Sequence, residues 1–330
     1  MKKIIPASFF GTILGLVGLG NVWRGGAKMW GLPHVVGETI MAVAVFIWIL
    51  LVVSYIAKWI MAPDEARAEL AHPVLCCFVG LAPVSTALIA LAVAPYNAGI
   101  AIALFWIGSL GQLAFALFRT GQLWKGGRDP NTTTPVLYLP TVAGSFVSSI
   151  AATAFNHPEL AQLFFGAGLF SWLAIESIVL HRLYIQESLP KPLRPTLGIQ
   201  LAPSVVGCAA YLGLTTGKPD LFAHMLLGYG LMQGLMLIRL QGWLREQPYS
   251  AAYWAFTFGV TALAYSCMRF VDRGMSGLYV PLAEGSFVIA NLVVGWIFIR
   301  SIVLLFKGSL IPPALQAPRP STPRALQLSP

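Results

Sequence analysis

Apolar residues gather in ten long runs separated by short polar breaks: residues 4–22, 35–60, 73–94, 98–118, 136–155, 160–180, 197–214, 221–240, 251–270 and 280–306. About 20 residues at ~1.5 Å rise cover the ~30 Å hydrocarbon core of a bilayer, so each run predicts a membrane-crossing helix. The third and fourth runs are joined only by Pro95, Tyr96 and Asn97. The runs are expected to pair as five helical hairpins.

The odd-numbered runs share a feature that the even ones lack. Near their starts stand Ile5-Pro6-Ala7-Ser8, Leu81-Ala82-Pro83-Val84-Ser85, Tyr138-Leu139-Pro140-Thr141 and Leu201-Ala202-Pro203-Ser204. In the ninth run Thr257, followed by Phe258 and Gly259, stands where the proline would fall. Proline removes a backbone hydrogen bond and bends a helix, which in lipid is tolerated only where protein or water surrounds the break. Five broken helices therefore belong inside, with five plainer helices around them. The expected fold is an all-α integral membrane protein whose five inner helices enclose a central pore. Pro6, Pro83, Pro140, Pro203 and Gly259 are its kinks; Ser8, Ser85, Thr141, Ser204, Thr257 and Thr261 are candidates to line it. The competing explanation is that small residues let helices pack closely, and Gly11 and Gly15 suit it well.

Composition agrees with a polytopic chain: 57% of residues are apolar, 10% are charged, and the mean hydropathy is +0.74. A soluble domain carries about a quarter charged residues. Residues 1–308 are expected to form one transmembrane domain, and residues 309–330, with six prolines, a disordered cytoplasmic tail. Lys2 and Lys3 before the first run imitate a signal peptide, but nine further runs favour a retained helix.

The net charge of +9 suggests nucleic acid until its distribution is considered. With ten spans, sixteen Lys and Arg fall on the side of both termini and five on the other, which predicts cytoplasmic termini. Contact with acidic lipid headgroups and attraction of anions to a pore mouth are secondary uses of that charge; no nucleic-acid partner is expected.

Candidate chemistry is sparse. Cys76 and Cys77 are adjacent, Cys208 and Cys267 stand alone, and the five histidines are scattered. No metal or cofactor site and no enzyme motif emerges. No Lys, Arg, Asp or Glu falls in the middle of an odd run, so coordination along a conduit would be weak, which suits rapid passage. Glu176 is the one acid deep within a run, and such a residue is either a proton-coupling group or a brace for a broken backbone. Phe256 and Phe258 lie roughly 200° apart on a helix, and an aromatic ring turned inward would block a lumen.

The ten-run layout, the four proline-bearing odd runs and the stretch Tyr253-Trp254-Ala255-Phe256-Thr257-Phe258-Gly259 resemble the tellurite-resistance/dicarboxylate transporter family. Phe164-Phe165-Gly166-Ala167-Gly168, Ile107-Gly108-Ser109-Leu110-Gly111-Gln112-Leu113 and Gly228-Tyr229-Gly230 extend the resemblance over nearly the whole chain, the proline-rich tail excepted. Plant slow anion channels are more distant relatives. The resemblance implies a homotrimer of the bacterial inner membrane, one pore per protomer, and a phenylalanine of the ninth helix that occludes it, matched here by Phe258. It implies a gated anion channel, with chloride, nitrate and tellurite as candidate permeants and membrane lipids as surroundings. The alternative is a proton-linked carrier or exporter of dicarboxylates, tellurite or lipophilic cations, which Glu176 would serve. The long phosphoregulated ends of the plant relatives have no counterpart here, which puts kinase control in doubt.

Overall fold

The computed structural model describes residues 5–311. Lys2, Lys3 and the proline-rich stretch from Pro312 onward lie outside the described residues, as does most of the expected tail. Among the described residues the chain is all-helical. The helices are α1 (Gly11–Trp30), α2 (His34–Met61), α3 (Pro63–Ala71), α4 (Cys76–Val79), α5 (Leu81–Val93), α6 (Ala98–Trp124), α7 (Gly144–Ala154), α8 (Pro158–Ile185), α9 (Ala202–Leu214), α10 (Leu221–Arg239), α11 (Gln241–Leu244), α12 (Thr257–Asp272) and α13 (Tyr279–Phe306).

Among the described residues eight helical stretches are long and apolar enough to cross a membrane: His34–Met61, Cys76–Val93, Ala98–Trp124, Pro135–Ala154, Pro158–Ile185, Lys191–Leu214, Leu221–Arg239 and Tyr279–Phe306. The first and ninth expected spans fold as α1 and α12, but neither meets the same measure. Helix α1 carries Asn21, Arg24 and Lys28, and α12 is only 16 residues long. Both pack against other protein along most of their length. A helix sheathed by protein needs less apolar surface than one that faces lipid.

The helices of the even-numbered runs, α2, α6, α8, α10 and α13, fit the lipid-facing pattern. Phe46, Val53 and Ile60 on α2, Ile107 and Leu117 on α6, and Leu292 and Ile299 on α13 are exposed. Asn97 caps α6 by accepting a hydrogen bond from the Ile100 amide, and Asp220 caps α10 through the Ala223 amide.

The five inner segments are all interrupted near their starts, four by a change of helix type and one by a break at Gly80. A 3-10 turn, Ala7–Phe10, precedes α1; α4 and Gly80 precede α5; a 3-10 turn (Pro135–Leu137) and a π turn (Leu139–Ala143) precede α7. A long 3-10 stretch, Lys191–Leu201, precedes α9, and another, Ala251–Phe256, precedes α12. Pro140 sits inside the π turn, while Pro83 and Pro203 occupy the first turns of α5 and α9, where the missing N–H costs little.

Each of these helices packs on the next: α1 on α5, α5 on α7, α7 on α9, α9 on α12, and α12 back on α1. The contacts close a ring of five. The chain-adjacent helices α2, α6, α8, α10 and α13 pack on them in turn. The amphipathic α3, absent from the sequence expectation, is tied to the ring's edge by Glu69. Its carboxylate accepts from Lys58 Nζ at 2.7 Å and from the Ala7 amide at 2.9 Å, with all groups buried.

Candidate functional site: an uncharged vestibule at the broken helix ends

A cavity of about 540 Å³ opens at the broken ends of the ring. Its inner wall comes from the first turns of all five helices: Gly11 and Leu14, Leu81, Ala143 and Phe146, Ala202 and Val206, and Phe258. Its mouth is framed by Ser8, Phe9, Phe78, Tyr138, Thr196, Tyr249 and Ser250. Ser309 and Leu310, on the tail side of the expected domain boundary, also line it. Among the described residues, no lining residue carries a charge. The positive ends of five helix dipoles meet this one space, each worth roughly 0.3–1 kcal/mol to an anion near an exposed terminus.

Of the two aromatic residues left open by the sequence, Phe258 faces the cavity. Phe256 is buried, stacks on Tyr253 with ring centroids 6.0 Å apart, and abuts Gly198. Phe258 is half-buried and has no aromatic partner among the described residues. Phe146 lines the same cavity but is fully buried, wedged against Gly168 and Gly207, with its ring 5.7 Å from that of Phe165. The sequence reading overlooked Phe146, whose surrounding Ser and Ala residues resemble any packed helix.

The hydroxyl residues are distributed unevenly. Ser8 and Pro203 line the cavity, whereas Pro6, Pro83, Pro140, Ser85, Thr141, Ser204, Thr257, Gly259 and Thr261 are not part of its lining. Ser85 donates to the Ala82 carbonyl at 2.8 Å and Ser204 to that of Leu201 at 3.4 Å; both are fully buried. Thr257 and Thr261 are also fully buried, donating to the carbonyls of Trp254 at 2.8 Å and Thr257 at 2.9 Å. They press against Gly15 and Gly18 of α1, where any Cβ would collide with their hydroxyls. Thr141 is half-buried and its Oγ1 has no partner. Gly259 sits against Leu201, at a spot where a Cβ would lie 3.0 Å from the leucine side chain. A hydroxyl inside a membrane protein tends to bond a carbonyl one turn back, freeing its small side chain for close helix contact.

Glu176 joins two broken segments. Its Oε2 accepts from Tyr138 Oη at 2.6 Å and Trp172 Nε1 at 2.8 Å; its Oε1 accepts from Gln200 Nε2 at 2.8 Å and from Tyr229 Oη. The carboxylate is 8% exposed, and every donor that meets it is neutral. Other outer elements act likewise. Gln112 of α6 donates to the Pro140 carbonyl at 3.3 Å, and Ser301 of α13 accepts from Trp254 Nε1 at 2.9 Å. Sequence reading found Glu176 but not its partners; Trp172, one helical turn before it, was the available signal.

Charge sits outside this apolar space. Beside the mouth, Arg194 Nη1 donates to Glu246 at 2.7 Å, and its guanidinium lies 4.2 Å from the Trp243 ring centroid. The hydrogen bond from Arg194 holds the Glu246 carboxyl below the ordinary carboxylate range. Cys76 and Cys77 place their sulfurs 4.0 Å apart, buried and away from the cavity lining.

Comparison with known proteins agrees with this architecture. The model of the SLAC1 family, described as voltage-dependent anion channel, matches residues 5–302. The chain is 35% identical over 305 residues to the tellurite resistance protein TehA homolog of Haemophilus influenzae, covering 92% of both proteins. It is 27% identical over 268 residues to an uncharacterized transporter of Methanocaldococcus jannaschii, covering 71% of this chain and 77% of that one. It is 22% identical over 276 residues to the S-type anion channel SLAH2 of Arabidopsis thaliana, covering 81% of this chain and 53% of the plant protein. With a family match that spans the whole ring and its outer helices, the chain belongs to the SLAC1 family of anion channels.

Proposed function

We propose that this chain is a gated, passive anion channel of the bacterial inner membrane, associated with tellurite resistance. In this reading α1 and α12 complete a set of ten spans, the ring of five encloses a pore, and Phe258 occludes it. One observation supports the reading: the first turns of five helices converge on an uncharged cavity whose lining includes the half-buried Phe258 ring. The dipoles favour anions, the uncharged wall binds them weakly enough to let them leave, and a dry aromatic constriction bars ions until it moves. Both termini lie in the cytoplasm, where the basic excess raises the local anion concentration. Three protomers assemble, each with its own pore, and chloride and nitrate pass, with tellurite a candidate beside them.

The test is anion current from Phe258→Ala in bilayers or oocytes. A rise of severalfold over wild type is expected; unchanged current in correctly inserted protein would reject the gate. Flux that collapses with the proton gradient and vanishes in Glu176→Gln would instead favour a proton-coupled carrier. The four neutral donors already bound to Glu176 argue for a brace over a proton relay.

A further inference from the structure

A second cavity, of about 310 Å³, lies outside the ring between α13 and the segment after α11. Arg245, Gln247, Tyr249, Tyr253, Trp296 and Arg300 line it. Its chemistry is the reverse of the vestibule's. Two arginines face it and no acid lines it, because the nearby Glu246 is paired with Arg194. Among the described residues neither Arg245 nor Arg300 makes an ion pair; Arg300 rests over the Tyr249 ring, 5.4 Å from its centroid. The Gln247 side-chain amide nitrogen is buried with no hydrogen-bond partner. Two free guanidiniums and an unused N–H donor around one hollow form an incomplete oxyanion cradle.

The surroundings indicate how the anion arrives. Trp296 is 51% exposed, and on the side of α13 that leads away from Arg300, Val288, Ile289 and Leu292 are exposed. A tryptophan and arginines at the edge of an apolar helix surface mark the headgroup level of a bilayer. We propose that this cavity is a binding site for a phosphate group, supplied by the headgroup of an anionic phospholipid whose acyl chains lie along α13. The guanidiniums take the phosphate oxygens, Gln247 donates a further hydrogen bond, and Trp296 packs against the glycerol region. Tyr249 lines both this cavity and the vestibule, so one ring separates the headgroup from the channel mouth.

The full chain in nanodiscs of phosphatidylcholine with a minor share of phosphatidylglycerol, followed by native mass spectrometry, reads the site directly. Phosphatidylglycerol should be retained in preference to phosphatidylcholine. Retention should fall about fivefold in Arg245→Gln or Arg300→Gln and roughly thirtyfold in the double variant. Arg67→Gln, which removes an exposed cation elsewhere on the same side, should leave it unchanged. A parallel titration of delipidated protein in neutral detergent with inorganic phosphate separates the sources. Arginine-dependent binding in the lipid arm alone assigns the site to the headgroup, and equal dependence in both arms assigns it to phosphate from solution. No preference for phosphatidylglycerol together with no phosphate binding, or retention indifferent to both arginines, overturns the proposal. Arg245 and Arg300 are exposed, so neither substitution threatens the fold.

Discussion

The five inner segments divide into two halves built by different rules. Toward the cavity the backbone leaves the regular α-helix, becoming 3-10 or π in four segments and breaking at Gly80 in the other, and side chains stand back from one another. In the other half the helices are regular and close-packed, with Ile89, Ala90, Ala151, Ala152, Ala210 and Ala264 fully buried. The difference shows what a broken helix needs at membrane depth. Every freed polar group must find a partner or open space. Here Glu69, Gln112, Glu176 and Ser301, all from elements outside the ring, brace four of the five broken segments. The regular half is also tied to the outer helices by polar contacts, Trp23 donating to Asn291, Arg24 pairing with Glu38 and Ser149 donating to the Ala161 carbonyl, but there the inner backbone keeps its own α-helical hydrogen bonds.

The two phenylalanines of the cavity sharpen the contrast most. Phe146 belongs by packing to the regular half and Phe258 to the broken one. Phe146→Ala should cost about 3–5 kcal/mol, the range for truncating a fully buried ring. Phe258→Ala should cost about 1 kcal/mol, since its ring is only half-buried and lacks an aromatic partner. Unfolding of both variants in mixed micelles checks the pair. Equal losses would erase the distinction between a held ring and a loose one.

The brace is tested next. Glu176→Ala strands four donors, from Tyr138, Trp172, Gln200 and Tyr229, at a buried site, and should cost about 2–3 kcal/mol. Glu176→Gln keeps one acceptor oxygen and should lose less, while Tyr138→Phe, which removes a single hydroxyl, should lose about 1 kcal/mol. If Glu176→Ala proved neutral in the same assay, the carboxylate would not be joining the broken segments.

Much of this arrangement was legible from particular residues. Pro140 lies within a π turn and Pro203 just after a long 3-10 stretch, so these two prolines stand where the backbone departs from α geometry, whereas Pro83 lies in the first turn of α5 after a break at Gly80 between two α-helices. Phe258 could be singled out only together with Phe256 until the resemblance to a family separated them. Other features were hidden for physical reasons. Thr257 and Thr261 resemble pore hydroxyls in sequence, yet Gly15 and Gly18 on a distant helix draw them to a packing face. Helix α3 is too charged to register in a search for apolar runs, and its Glu69 has meaning only once Lys58 and the Ala7 amide are beside it. Phe146 carries no local signal, since its burial depends on glycines in two other helices.

The smallest effect lies at the rim, where the broken half meets water. Arg194 bonds Glu246 there and holds its carboxyl below the ordinary value of 4.5. A carboxylate with a lowered folded pKa contributes stability that is present above its unfolded pKa and is lost as pH falls through the folded one. The pair is partly exposed and therefore weak, so the test is a difference between variants. At neutral pH the wild type should melt slightly above Glu246→Gln, and the gap should close as pH drops below about 4.5. Arg194 keeps its bond to the Trp243 carbonyl and its place over the Trp243 ring in both proteins, so only the ionic part of the contact is lost. A gap that widened on acidification would mean that Glu246 gains its partner in the protonated form, and the rim would then be held by a hydrogen bond with no ionic share.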